Sequence, residues 1–93
     1  MPESSRYALV LSPAARRQLG KAPRAVQPRL ENALDGLALE PRPTNAIKLT
    51  NVLHEGLPLY RVRVGDYRIL YSIADQKLLV LVVSVGDRKE VYC

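Results

Sequence analysis

The chain has 93 residues, 47% of them hydrophobic and 25% charged, and 14 Lys and Arg against 9 Asp and Glu give a formal net charge of +5 at pH 7. This composition excludes a disordered or fibrous chain and predicts one globular domain over residues 1–93. The positive charge, with a pI near 9.7, favours an acidic partner such as nucleic acid or an acidic protein.

Several site types are excluded by the residue counts. Cys93 is the only cysteine, so no intramolecular disulfide or cysteine-based metal cluster is possible. His54 is the only histidine, which excludes a histidine-rich zinc site, and we expect it to be a surface or packing residue rather than a base. We therefore expect no cofactor and no metal. No apolar run approaches 18 residues and Met1–Arg6 lacks a signal-peptide core, so the sequence predicts a cytoplasmic protein with no membrane partner.

The chain begins with a short apolar strand and a helix. Tyr7–Leu11 reads as a strand and runs into Ser12 and Pro13. Serine at the N-cap followed by proline is a helix start, because serine satisfies a backbone N–H that has no helical partner and proline lacks one. We expect this helix to end at Gly20 with a left-handed C-cap.

A second helix follows and is amphipathic. It is predicted to begin near Pro23, to be regular only from about Pro28 or to kink there, and to end before Pro41. Its apolar residues recur at a spacing of three to four, which is typical of a helix with one buried face. Residues 44–58 are predicted to be a long connection without regular structure.

The segment from Leu59 to Val64 and the segment from Tyr67 to Ile73 predict a β-hairpin. Only Gly65-Asp66 separates these two runs of Val, Ile, Leu and Tyr, and such a dipeptide between alternating apolar residues is a strong hairpin signal.

If Gly65 and Asp66 are the two turn residues, Arg63 pairs with Arg68, and Arg61 lies on the same face as both. Like charges directly opposite cost roughly 0.2–1 kcal/mol. Either both guanidinium groups extend into water or reach carboxylates, or an anion such as a phosphate completes a site there, because arginine matches phosphate bidentately.

The fold class predicted is α+β. Lys77–Val85 is a third strand, apolar on both faces and therefore central, which Gly86 ends. The predicted architecture is an N-terminal strand, a two-helix hairpin and a three-stranded antiparallel meander, forming one sheet with both helices packed on one face.

The segments LYRVRVGDYRILYSI and LLVLVVSVGDRKEVY resemble the RelE/ParE superfamily of bacterial toxins, specifically its RelE-like branch. The resemblance covers almost the whole chain. It implies a ribosome-dependent endoribonuclease that cleaves messenger RNA in the ribosomal A site, contacts 16S rRNA and is neutralised by a cognate RelB-like antitoxin.

Residue by residue, the resemblance also implies a catalytic site. The family has cations on the first strand of the hairpin, an arginine on the second, an arginine after the last strand and a tyrosine near the terminus. These positions correspond to Arg61, Arg63, Arg68, Arg88 and Tyr92. Clustered arginines would stabilise the charge that develops when RNA is cleaved through its own 2′-hydroxyl, and a tyrosine ring can stack on an unpaired base.

Other residues have supporting roles in this hypothesis. We expect Asp87 to orient a partner or transfer a proton. The cations expected to contact RNA are Arg16, Arg17, Lys21, Lys48 and Lys89.

Two alternatives remain open at this point. A ParE-like protein would share the fold but poison DNA gyrase, and would not use the arginines for RNA cleavage. A non-catalytic basic module would only bind RNA or an acidic protein. Cleavage of ribosome-bound message separates the first hypothesis from both.

Overall fold

The structure, a computed structural model, describes residues 6–87. A short 3₁₀ turn at Asp75–Lys77 precedes the last strand. In chain order the helices and strands are β1 (Ala8–Leu11), α1 (Pro13–Lys21), α2 (Gln27–Leu39), β2 (Ile47–His54), β3 (Leu57–Val64), β4 (Tyr67–Ala74) and β5 (Leu79–Asp87).

The five strands form one sheet in the order β1-β5-β4-β3-β2. Strands β2 to β5 are antiparallel neighbours, whereas β1 pairs with β5 in parallel, from Ala8 opposite Leu79 to Leu11 opposite Val82. The predicted α+β class is confirmed, with the helices on one face of a single sheet. The sheet has one strand more than predicted, because β2 occupies most of the segment that was predicted to be an irregular connection.

Helix α1 begins as the sequence predicts and ends later. Ser12 caps it, since its hydroxyl accepts a hydrogen bond from the Ala15 N–H at 3.0 Å, and Pro13 is the first helical residue. The expected left-handed cap at Gly20 is wrong, because the helix continues to Lys21 and the extended Ala22 follows. Ala22 precedes a proline, and that position disfavours helical geometry.

Helix α2 starts at Gln27, which places Pro28 in its first turn, where a missing N–H costs nothing and no kink is needed. The side-chain nitrogen of Gln27 donates to the Gly20 carbonyl at 3.3 Å and to the Ala22 carbonyl at 2.9 Å, and these bonds connect α2 to the end of α1.

No helix within residues 6–87 is long and apolar enough to cross a membrane.

The core lies between the helices and the sheet face that they cover, which we call the helix face. Leu30, Leu34 and Leu37 of α2 pack in one buried cluster with sheet side chains. The sheet side chains that are fully buried in this cluster are Ile69, Tyr71, Val80, Val82 and Val85.

Strand β5 places Val80, Val82 and Val85 in that core because it contains a bulge. Its register to β4 shifts between Leu70 and Tyr71, which leaves Val83 as an extra residue. A bulge of this kind moves the following residues to the other face of the sheet. The strand also continues through Gly86, which was expected to end it.

Replacing Val80 with aspartate should unfold the protein. Val80 has no exposed surface, so the variant buries an unpaired charge, and we expect a loss of about 4 kcal/mol or more in the free energy of unfolding. Circular dichroism with chemical denaturation measures this loss. The control is Val10→Asp in β1, because Val10 is 45% exposed; equal destabilisation of the two variants would contradict the prediction.

Candidate active site

The β3–β4 hairpin has the register that the sequence predicts. Val64 lies opposite Tyr67, and Arg63 lies opposite Arg68. Alternation along the strands then places Arg61 on the same face as both arginines, on the side of the sheet away from the helices. We call this side the arginine face.

The turn that fixes this register depends on Gly65. Its φ of 61° lies in the left-handed region, where a side chain is strained. A Cβ at Gly65 would also stand 3.0 Å from a terminal nitrogen of Arg29, whose guanidinium group packs over the turn from α2. The backbone conformation favours glycine here, and the two-residue length of the turn sets the register of the two strands.

The three arginines differ in their exposure. Arg63 is exposed, Arg61 is half-buried and Arg68 is only 7% exposed. Side chains directly opposite in an antiparallel pair have Cβ atoms about 4.5–5.5 Å apart, so a buried cation and an exposed cation originate side by side. The buried guanidinium group is restricted in its conformations, whereas the exposed one is free to follow an anion.

The arginine face changes character along the strands. On the β5 side, Gly86 lies directly opposite Arg68. Away from the hairpin turn the face is mostly apolar: Leu59 lies opposite the buried Ser72, and Leu81 lies opposite Val10. The cations are therefore concentrated at the end of the sheet next to the Gly65 turn.

Not every residue singled out in the sequence reaches this face. Lys48 lies opposite Tyr60, and Asp87 lies opposite Tyr67, which by alternation puts both on the helix face. The exposed residues Arg16, Arg17 and Lys21 belong to α1, which packs on the helix side. Arg88, Lys89 and Tyr92 lie outside the described residues.

The described residues supply no obvious general base next to the arginines. Burial, with the nearby Tyr60, raises the pKa of Tyr71 to about 12, and its hydroxyl donates to the Pro41 carbonyl at 2.8 Å. His54 lies opposite Leu57, which is six residues before Arg63 and so about 20 Å away along an extended strand. Within residues 6–87, no group of three His, Cys, Asp or Glu is placed to hold a metal ion.

A second polar cluster, centred on Arg42 and Asp75, was not found by sequence reasoning. Arg42 donates from its two terminal nitrogens to both Asp75 oxygens, at 3.1 and 2.8 Å, and from Nε to the Tyr60 hydroxyl at 3.1 Å. The Tyr7 hydroxyl donates to the same carboxylate at 2.8 Å. This cluster joins the start of β1, the end of α2, β3 and the β4–β5 turn. No local pattern points to this cluster, since Tyr7, Tyr60 and Asp75 are all distant from Arg42 along the chain.

Comparison with known proteins agrees with the fold. The model of the family described as ParE toxin of type II toxin–antitoxin systems, parDE, matches residues 9–92. No curated protein matches the chain.

Three solved structures of RelE toxins are similar to the chain. The toxin in the archaeal RelE–RelB complex of Pyrococcus horikoshii is 29% identical, with a TM-score of 0.76, over 89% of this chain and 96% of that chain. The RelBE2 complex of Mycobacterium tuberculosis gives 30% identity and a TM-score of 0.72 over 89% and 99%. The isolated Escherichia coli RelE toxin is 29% identical, with a TM-score of 0.73, over 92% of this chain and 90% of that chain.

The two-helix, mixed-sheet fold and these matches together define a toxin of the type II toxin–antitoxin systems. Within that class, the chain belongs to the ParE toxin family of the RelE/ParE superfamily, and the solved structures similar to it include RelE toxins. The resemblance noted in the sequence is confirmed.

The Arg42–Asp75 cluster should make stability depend on acid pH. The hydrogen bonds from Arg42, and then from Tyr7, lower the pKa of Asp75 to about 2, below the value of about 3.9 expected for an unfolded chain. A lowered folded-state pKa stabilises the protein fully above the unfolded-state value, and this contribution is lost as the pH falls through the folded-state value.

We therefore expect Asp75→Asn to lower the free energy of unfolding near neutral pH and to have a diminishing effect between about pH 4 and about pH 2. The effect is modest, because the Asp75 side chain is 51% exposed. Denaturant titrations at several pH values measure it, with the exposed Asp35→Asn on α2 as control. An Asp75→Asn deficit that stays constant down to pH 2 would refute the prediction.

Proposed function

We propose that this toxin is a ribosome-dependent endoribonuclease that cleaves messenger RNA in the A site, through attack of a 2′-hydroxyl on the adjacent phosphate. The supporting observation is the pairing of Arg63 with Arg68 beside Arg61 on the arginine face of the sheet. A sheet selected for stability alone disfavours opposite like charges. A phosphate between them converts that repulsion into attraction.

In the proposed reaction, the 2′-oxygen bonds to phosphorus and the bond from phosphorus to the 5′-oxygen breaks. The products carry a 2′,3′-cyclic phosphate and a 5′-hydroxyl. The transition state concentrates negative charge on the phosphate oxygens, so preorganised cations lower its energy. Arg68 suits this role because its burial fixes it before substrate arrives. Arg63, being exposed, adjusts to the phosphate as charge develops.

In the net reaction, the 2′-hydroxyl loses a proton and the 5′-oxygen that leaves phosphorus gains one. Arginine is effectively always protonated and is a poor base. Asp87 lies by register on the face away from Arg68, which argues against it as the base. We propose that electrostatic stabilisation and positioning provide most of the rate, that Arg88 adds a further cation, and that Tyr92 contributes more by stacking on a base than by proton transfer.

Two surfaces would then engage two partners. The arginine face would receive the message, while Arg16, Arg17 and Lys21 of α1, on the other side of the sheet, would contact 16S rRNA through its phosphates. Lys48 lies on that second side as well, and Lys89 would add a charge after β5. The ribosome would make the site of action cytoplasmic.

We also propose a RelB-like antitoxin as the neutralising partner. RelE relatives were solved in complex with RelB, including that of P. horikoshii. The net charge of +5 favours an acidic partner. An amphipathic helix is the expected anchor, with further antitoxin segments covering or displacing the arginine face. Expression without that partner should be toxic.

A second candidate is a ParE-like gyrase poison, which is favoured by the family model that matches the chain. Incubation of the purified protein with programmed ribosomes, and separately with gyrase and supercoiled DNA, distinguishes the two candidates. Cleavage of A-site message without gyrase-linked DNA breaks supports the nuclease. DNA breaks with intact message would replace it with the gyrase hypothesis, and binding of RNA without either product would indicate a non-catalytic module.

Loss of either facing arginine should abolish most of the message cleavage. We expect Arg63→Ala and Arg68→Lys each to lower the single-turnover rate on the order of 10²-fold or more, as for removal of an oxyanion donor. Lysine keeps the charge of Arg68 but loses the bidentate geometry. The exposed Arg24→Ala, in the α1–α2 connection, is the control. Rates of the two site variants that equal the control, with circular dichroism showing all three folded, would rule out this role.

Variants of Tyr92 distinguish a stacking role from a role in proton transfer. If Tyr92 acts by stacking, Tyr92→Phe retains most single-turnover cleavage of ribosome-bound message, whereas Tyr92→Ala loses much of it. A phenylalanine variant as inactive as the alanine variant would make the hydroxyl essential and favour a tyrosinate base. Activity lost in Asp87→Asn alone would assign the proton to Asp87 instead.

A further inference from the structure

The outer edge of β5 changes partner where β1 ends. Up to Val82 this edge pairs with β1, and the Ser12 N–H still donates to the Val82 carbonyl at 2.9 Å. Beyond that point, the backbone of β5 forms hydrogen bonds with the side chains of Ser12, the N-cap of α1, and of Gln18 in α1. The Ser12 hydroxyl donates to the Val83 carbonyl at 2.8 Å, and the Val85 N–H donates to the side-chain oxygen of Gln18 at 2.7 Å.

Gln18 makes two contacts at this edge. The same oxygen also accepts a hydrogen bond from the Ser84 hydroxyl at 3.3 Å. The Val85 N–H is buried, because Val85 has no exposed surface. Without Gln18, that donor would lose its partner in a place that water does not reach.

The contact to Val85 is specific for the bulged form of β5. In a regular strand, every second residue turns its backbone groups to the same edge. After Val82, a regular strand would therefore present Ser84 to α1. The extra residue Val83 presents Val85 instead, and Gln18 accepts from that N–H.

The bulge decides which residue lies beside the buried arginine. With it, Gly86 is opposite Arg68 and Val85 is in the core. If the pairing of Tyr71 with Val82 continued without the extra residue, Val85 would lie opposite Arg68. Its branched side chain would begin about 4.5–5.5 Å from the arginine Cβ, in the space from which a phosphate approaches on the β5 side.

We propose that Gln18 is a positioning residue for the arginine face: by holding β5 in its bulged register, it keeps a glycine rather than a valine opposite Arg68. This inference rests on the proposed nuclease function, since its consequence is access of a phosphate to Arg68. Gln18 itself belongs to α1 and acts only through β5.

The test compares two glutamines that each bond to the backbone. Gln18→Leu removes the acceptor at similar volume, whereas Gln18→Glu keeps an oxygen for the Val85 N–H. Gln27→Leu is the matched control, because Gln27 bonds to the Gly20 and Ala22 carbonyls and does not reach β5. Four quantities are measured for each variant: the single-turnover rate of cleavage of ribosome-bound message, the toxin concentration that gives half of the maximal rate, the melting temperature and the hydrogen exchange of the Val85 amide.

We expect Gln18→Leu to lower the maximal cleavage rate about 10-fold to 10²-fold, the loss typical of a misplaced catalytic group. The toxin concentration that gives half of the maximal rate should change little, and the Val85 amide should exchange its hydrogen faster. Gln18→Glu should restore most of the rate. Gln27→Leu should lose melting temperature without losing rate. Equal maximal rates for folded Gln18→Leu and Gln27→Leu would overturn the inference.

Gly86→Ala provides a second test that leaves the Gln18 contact in place, and it tests the need for a glycine opposite Arg68 even if Gln18→Leu does not fold. The added methyl group should lower the cleavage rate while Val85 stays protected from exchange. In an Arg68→Ala background the same change should have no further effect, whereas independent, additive losses would overturn the inference. Failure of the wild-type chain to cleave any message would count against the proposed function instead, and is thus recognisable before any variant is compared.

Discussion

The register of the β3–β4 hairpin is the constraint on which the rest of the molecule depends. A shift of β3 by one residue against β4 would turn Arg61 and Arg63 into the helix face and remove Val62, which is now buried, from the core. The two-residue turn prevents this shift, because Gly65 adopts a conformation that side chains resist and Arg29 packs against it. The core and the cationic surface are thus fixed by one turn.

The β3–β4 hairpin pairs apolar residues on its helix face and pairs two like charges on its arginine face. Val62 and Ile69 lie opposite each other within the core, so apolar burial stabilises the pair of strands. Arg63 and Arg68 lie opposite each other on the far face, where their mutual repulsion opposes the same pairing. Such local conflict is expected where a surface serves binding or chemistry rather than stability.

The sequence was sufficient for the hairpin, both helices and the face that carries the arginines, because these depend on local turn chemistry and on alternation. Strand β2 was missed because it is an exposed edge: Leu53 is 64% exposed, and Asn51 interrupts the pairing with a positive φ of 62°. The burial of Arg68 and the bulge in β5 depend on contacts between distant segments. No local pattern encodes such contacts.

The parallel pairing of β1 with β5 affects how the chain folds during synthesis. Residues 8–11 can join the sheet only after residues 79–82 have been made, because β1 pairs with β5, and contacts so distant in sequence slow folding. Until β5 arrives, the hairpin exposes its apolar residues, and Arg68 has no strand on its second side. A nascent chain therefore has its cations before it has their assembled surface.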